Sequence, residues 1–132
     1  MAILNLTQHP ASGEQIEAGV IDLPGAARAS LIELLTVEQL PTRGEIEARC
    51  ADIATLAALN AANEDRADGR GFATAAMIGG APWMMAALEA ALQAQGFTVL
   101  YAFSVRESVE KAQPDGSIRK INVFRHAGFV PA

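Results

Sequence analysis

What the chain has little of narrows its reading first. Its 132 residues include one cysteine, one tryptophan, one tyrosine and two histidines. A single cysteine, Cys50, excludes an internal disulfide and suits a reducing cytoplasm. It falls in a helical pattern and reads as an inert core thiol. His9 and His126 are far apart and Cys50 is helical, so no metal-ligand spacing exists, and neither metal nor cofactor is expected. No stretch approaches about eighteen consecutive apolar residues, so no membrane span is expected. The first residues lack the basic start and apolar core of a signal peptide. There is no G-x-G-x-x-G, no P-loop lysine signature and no G-x-S-x-G, and no acid is placed to orient a histidine. Basic charge is also short. A formal net charge of −5 argues against a long nucleic acid as partner and leaves room for a small anion in a local basic pocket.

What is present reads as one α/β domain over residues 1–132, half apolar and with few aromatics. The stretch from Ala73 to Arg106 organises it. Ala76-Met77-Ile78 predicts a strand that Gly79-Gly80 breaks. Pro82 suits a first helical position, Trp83 to Gln95 a helix, Gly96 its end, and Phe97 to Phe103 the next strand. Such a unit is a βαβ crossover between parallel strands, and ligands in these sheets bind beyond the carboxyl ends. The expected fold is a small Rossmann-like, mostly parallel sheet flanked by helices, with a C-terminal antiparallel β-hairpin.

Ahead of that unit, Ala2 to Leu6 predicts a strand, Ser12 the N-cap of a short helix through Ala18, and Val20 to Leu23 a second strand. Ala26 to Leu35 carries a one-sided apolar stripe. Thr42 and Glu45 form a capping-box pattern for a helix from Arg43 to about Asn60. Asn63 to Gly71, charged and glycine-punctuated, predicts an exposed loop. At the other end, Val99 to Lys111 and Ser117 to Val130 are hairpin arms flanking Gln113-Pro114-Asp115-Gly116, which predicts a turn. With Gln113 closed on Ser117, Tyr101 faces Phe129, Phe103 faces Ala127 and Val109 faces Ile121 on one side. Ser104/His126, Arg106/Phe124, Ser108/Asn122 and Glu110/Lys120 make up the other. A bulge would shift this register.

Three segments are expected to meet at the carboxyl edge: Thr7-Gln8-His9, Gly79-Gly80-Ala81 and Ser104 to Arg106. The double glycine exposes amides at a helix N-terminus, where the dipole favours an anion; equally, it lets the chain turn tightly. His9 suits an acid, a base or a phosphate donor, or a structural cap of its loop. His126, opposite Ser104, reads as packing. Arg106, Arg119, Lys120 and Arg125 are the densest basic cluster, which reads equally as a solvated strand face, with Arg106 the exception placed to bind phosphate bidentately. Trp83-Met84-Met85 reads as core.

Three stretches carry a resemblance. LNLTQHPASGEQ (Leu4 to Gln15), the Gly79-Gly80 turn with its helix, and LYAFSVRESVEKAQPDGSIRKINVFRHAGFV (Leu100 to Val130) are similar to a small CRISPR-associated, ring-nuclease-like family. That family is related to the CARF-type Rossmann sensors of cyclic oligoadenylate. The tail match, with its Y-A-x-x-x-R-x-x-V-E, D-G-S turn and V-F-R-H, is the most specific. The resemblance implies a homodimer whose two edges share one cyclic oligoadenylate. It also implies metal-independent cleavage by attack of a ribose 2′-OH on the adjacent phosphate. It assigns catalysis to His9, Ser104 and Arg106, and ligand binding to Thr7, Gln8, Gly79, Gly80, Arg125 and His126. Two other readings stand beside it: a non-enzymatic, protein-binding or mobile-element adaptor that uses the hairpin edge, and a nucleotide- or sugar-phosphate enzyme using the same pocket.

Overall fold

The computed structural model describes residues 2–68 and 73–132. Its elements run β1 (Ile3–Asn5), α1 (Gly13–Glu17), β2 (Val20–Asp22), α2 (Gly25–Leu35), α3 (Arg43–Asp68), β3 (Ala75–Ile78), α4 (Pro82–Ala94), β4 (Thr98–Ala112) and β5 (Ile118–Pro131). They form one α/β sheet of order β2-β1-β3-β4-β5, in which the first four strands are parallel and β5 is antiparallel to β4. Among the described residues, no helix is long and apolar enough to cross a membrane.

Local chemistry accounts for the helix starts. Ser12 Oγ accepts the Gln15 amide at 3.2 Å while Gln15 Oε1 accepts the Ser12 amide at 3.0 Å, a reciprocal cap for a helix of five residues. Thr42 Oγ1 accepts the Glu45 amide at 3.1 Å at the start of α3. Pro82 opens α4, where its missing N–H has no partner to lose. The helix α3 outruns its expected end. Residues 63–68, read as loop from their charge, continue it, because the first breaker after Asn60 is Gly69 and polar residues do not stop a helix. Gly69 to Gly71 of that expected loop lie outside the described residues.

Strand alternation divides the burial. Leu4, Ala76, Ile78 and Val99 face one side and pack with Leu31, Ile53, Ala57, Met84, Leu88 and Leu92 of α2, α3 and α4. Cys50 is buried there too, and desolvation pushes its thiol up from the ordinary range. Ile3, Val20, Ala75 and Met77 face the other side, covered by Ala11, Leu100 and Phe129. Met84 and Met85 are core as expected, whereas Trp83 is half exposed.

The two ends of the chain differ in length of strand. β1 and β2 have three residues each and β3 four, but β4 has fifteen and β5 fourteen. β3 pairs with β4 only as far as Tyr101, so the rest of β4 and its partner leave the body as a two-stranded ribbon. The expected register holds from Ser104/His126 to Ala112/Ile118, but fails nearer the body. There Tyr101 faces Val130, Ala102 faces Phe129 and Phe103 faces Gly128, so the expected pairs Tyr101/Phe129 and Phe103/Ala127 do not form. A bulge leaves Ala127 unpaired, next to Gly128 at φ +138°, a value that only glycine adopts at little cost.

Candidate functional site

The order β2-β1-β3-β4 reverses direction between β1 and β3, and loops leaving such a switch point diverge to opposite faces of the sheet. A cavity of about 490 Å³ opens there. It is lined by Thr7, Gln8, His9 and Pro10 from the β1 loop, and by Gly79 and Gly80 from the β3 loop. Gln15, Met77 and Ala102 place it on the α1 side of the sheet. A second depression of about 280 Å³ shares Gln8, Gly79 and Gly80 and extends to Thr36, Trp83 and Met84. Thus the first two expected segments meet.

The β1 loop is held by a buried amide that sequence reading passed over. Asn5 is fully buried. Its Nδ2 donates to Asp22 Oδ1 at 2.7 Å and to the His9 carbonyl at 2.8 Å. Its Oδ1 accepts the Thr7 amide at 3.0 Å and the Thr7 hydroxyl at 2.7 Å. Every donor and acceptor site of this amide is used. Asp22 Oδ1 also accepts the Ala11 amide at 3.0 Å, which fixes the exit of the loop. The signal was available: Asn5 is the one polar residue in an otherwise apolar strand, and Asp22 ends the next. From α2, Arg28 Nη2 donates to the Gln8 carbonyl at 3.0 Å, while its Nη1 is buried without a partner among the described residues. The outcome is a fixed backbone carrying half-buried Thr7, whose hydroxyl is tied to Asn5, exposed Gln8, whose amide reaches Thr36 Oγ1 at 3.4 Å, and exposed His9.

The β3 loop works differently. Gly80 has φ +144°, so its conformation selects glycine. Gly79 lacks such a constraint, and a Cβ there would meet Thr7 Cγ2 at an ordinary 3.7 Å. Hence the two loops approach to within the reach of one added methyl group at Thr7 and Gly79, and only one of the two glycines is required by the turn. No side chain caps the start of α4, so its first amides and dipole face the shared edge.

The third expected segment is not a loop. β4 continues unbroken through Ser104, Val105 and Arg106 to Ala112, because the Gln113–Gly116 turn allows its antiparallel partner to follow it. Ser104 and Arg106 therefore lie on the ribbon and do not line the cavity. Alternation puts Ser104 and Arg106 on the same side as Ala102, about 7 and 13 Å further out at roughly 3.3 Å per residue. His126 faces Ser104 on that side; its ring meets Phe129 edge-on at 4.9 Å, and its Nδ1 is buried without a partner among the described residues. Arg125 faces Val105 on the opposite side, where its Nε donates to Glu107 Oε2 at 3.1 Å. Among the described residues, no lysine or arginine lines the cavity.

At the foot of the ribbon Tyr101, which packs on the helix-side core, donates its hydroxyl to Glu89 Oε2 at 2.6 Å. Burial, then this bond and the carboxylate's charge, push the phenol up to about 12. The groove between α2 and α3 is less suited to a ligand. Its one arginine, Arg49, spends Nη1 on the carbonyls of Glu33, Leu34 and Thr36 at the end of α2, and the remaining charges there are glutamates.

A family model described as the Uncharacterized protein MJ1673 family matches residues 1–130, and the chain belongs to that family. No curated protein and no solved structure matches it.

Proposed function

We propose that this member of the family binds a cyclic oligoadenylate at the switch point between β1 and β3 and cleaves it without a metal. The observation that carries the reading is the cavity in which His9 and the Gly79-Gly80 turn meet, at the uncapped start of α4. Its volume of about 490 Å³ suits one nucleotide. From its mouth the Ser104 and Arg106 positions continue along one face of the ribbon, a span that favours a ring of several nucleotides over a single one.

In this reading the amides of Gly79 and Gly80 hold a phosphate, aided by the helix dipole. Thr7 and Gln8 position the ribose, and Ser104 and Arg106 contact the phosphates that lie outside the cavity. Cleavage needs an in-line 2′-OH, an acceptor for its proton, and donors for the charge that develops on phosphorus. The 2′-oxygen bonds to phosphorus as the P–O5′ bond breaks. His9 takes the 2′ proton, the 5′-oxygen is protonated from water, and the product ends in a 2′,3′-cyclic phosphate. Arg125 faces away from this side, and His126 is a packing residue with one free nitrogen at the bulge.

The test is incubation of purified protein with cyclic oligoadenylates of several ring sizes in the presence of a chelator. Linear products with 2′,3′-cyclic phosphate ends, and a rate that falls on His9→Ala while binding falls on Arg106→Ala, are expected. Neither binding nor turnover at any ring size removes the reading, and response to mononucleotides alone replaces it with the nucleotide-enzyme alternative.

A further inference from the structure

The chain has one tryptophan, and it is left half in water. Helix α4 buries Met84, Met85, Leu88 and Leu92, yet Trp83, one position ahead of them, is 50% exposed. The indole does not stand alone on the surface. With Leu35, Val37 and Met84 it walls the depression of about 280 Å³ on the helix side of the β3 loop.

That depression is continuous with the cavity, since Gln8, Gly79 and Gly80 line both. It is smaller than the roughly 300–1,000 Å³ of sites that take a whole small ligand, so it suits a part of one. Among the described residues no charged side chain lines it, which makes it a poor place for a phosphate. An aromatic face between aliphatic walls is where a flat heterocycle gains most. One polar group decides what the edge of that heterocycle should carry. Gln8 Nε2 is directed at Thr36 Oγ1, 3.4 Å away, and Thr36 spends its own proton on the Ile32 carbonyl at 2.7 Å. Gln8 Oε1 is left over, with no partner among the described residues, and an acceptor at that place selects an exocyclic amine.

We propose that this depression is a nucleobase subsite, in which Trp83 stacks on an adenine whose phosphate lies at the Gly79-Gly80 turn. It rests on the reading above for that phosphate and adds the place of the base. The base crosses the β3 loop to the helix side, while its ribose and the rest of the ligand stay on the cavity side. Gln8, at the wall the two hollows share, meets the ribose with its stem and the base with its amide. Trp83 is therefore a binding residue, although its place at the start of a core-facing helix gives it the pattern of a core one.

Trp83 fluorescence tests this, because no other tryptophan contributes to the signal. Cyclic tetra-adenylate and AMP should each change the emission in proportion to the bound fraction measured by equilibrium dialysis. Ribose 5-phosphate, which has the phosphate but no base, should leave it unchanged. IMP, with an oxygen in place of the amine, should bind about fivefold more weakly than AMP. Trp83→Ala should weaken AMP binding about tenfold or more, and Trp83→Phe, which keeps an aromatic face, by under about threefold. Circular dichroism checks the folding of both variants, and the wild-type emission decides the matter if either fails to fold. Probes that bind without moving the emission, with an affinity indifferent to Trp83→Ala, overturn the subsite and leave the cyclic oligoadenylate reading in place. Emission that responds to AMP while no ring binds overturns that reading and supports the subsite. An equal response to ribose 5-phosphate, IMP bound as tightly as AMP, or no binding of any probe would each overturn the subsite.

Discussion

The β1 loop and the β4–β5 ribbon leave the same edge of one sheet, and they treat their polar groups in opposite ways. At the loop, one buried amide gathers a carboxylate, a hydroxyl, a backbone N–H and a carbonyl, so that the exposed tips of Gln8 and His9 stand on a fixed base. On the ribbon, the side chains are organised mainly by cross-strand neighbours. The difference follows from connection type. A parallel strand must be followed by a crossover whose helix covers the sheet, which buries whatever lies beneath it. An antiparallel pair needs only a turn, and it extends as far as its own pairing allows. Side chains are thus held in place where the strands are shortest and left exposed where they are longest.

Four perturbations sharpen or break this contrast. The largest effect is expected from truncation. Ile53→Ala or Leu88→Ala, both fully buried in the body, should lower unfolding free energy by about 2–5 kcal/mol. Val105→Ala on the ribbon should change it by under about 1 kcal/mol when measured on monomer by urea denaturation. A ribbon valine as costly as a body leucine would mean that the ribbon belongs to the core. Next, Asn5→Ala should remove about 2–3 kcal/mol by leaving the partners of a buried amide unpaired, and it should also abolish any ligand binding that depends on the β1 loop. Ser108→Ala, on the exposed ribbon, should do neither.

The two glycines should then separate. Gly80→Ala, at φ +144°, is expected to cost about 1–2 kcal/mol. Gly79→Ala should leave stability within about 0.5 kcal/mol, yet it narrows the cavity beside Thr7 and should weaken binding there. Equal destabilisation by both would make the turn purely structural.

The smallest effect is spectroscopic. Tyr101 is the only tyrosine, so absorbance near 295 nm reports the foot of the ribbon alone. Its ionisation should be centred near 12 rather than about 10. Because burial and the Glu89 acceptor raise this value in the folded chain, the stabilisation is complete below the unfolded value and is lost as pH rises from about 10 to about 12. Glu89→Gln should bring the midpoint down, and an unshifted titration in the wild type would show that the foot is open to water.

Much of the body was legible from residues alone. The caps at Ser12 and Thr42, Pro82 at the start of α4 and the glycine breaks are local chemistry, as is the Gln113–Gly116 turn, and each lies where expected. The errors arose where a distant partner decided the outcome. Ser104-Val105-Arg106 reads as a loop at the carboxyl edge even though the hairpin arm is expected to run from Val99 to Lys111; pairing with β5 keeps those residues in a strand that ends at Ala112. Two cross-strand pairs were misplaced because nothing in the sequence near Gly128 says on which strand, or after which residue, the extra position falls. Asn5 was overlooked because its importance lies in Asp22, Thr7 and His9 arriving around it.

By itself, then, the sequence determined the kinds of element, most of their limits and the parallel α/β class, since hydrophobic period, caps and breakers act within a few residues. Only the tertiary structure decided that the β1 and β3 loops close one cavity, that Arg106 lies on a ribbon outside it, and that Phe103, Val105, Ile118 and Phe124 are left exposed along that ribbon. Those outcomes depend on strand order and register, which are fixed by pairing between segments as far apart as Ile3 and Ala75, and no local pattern encodes them.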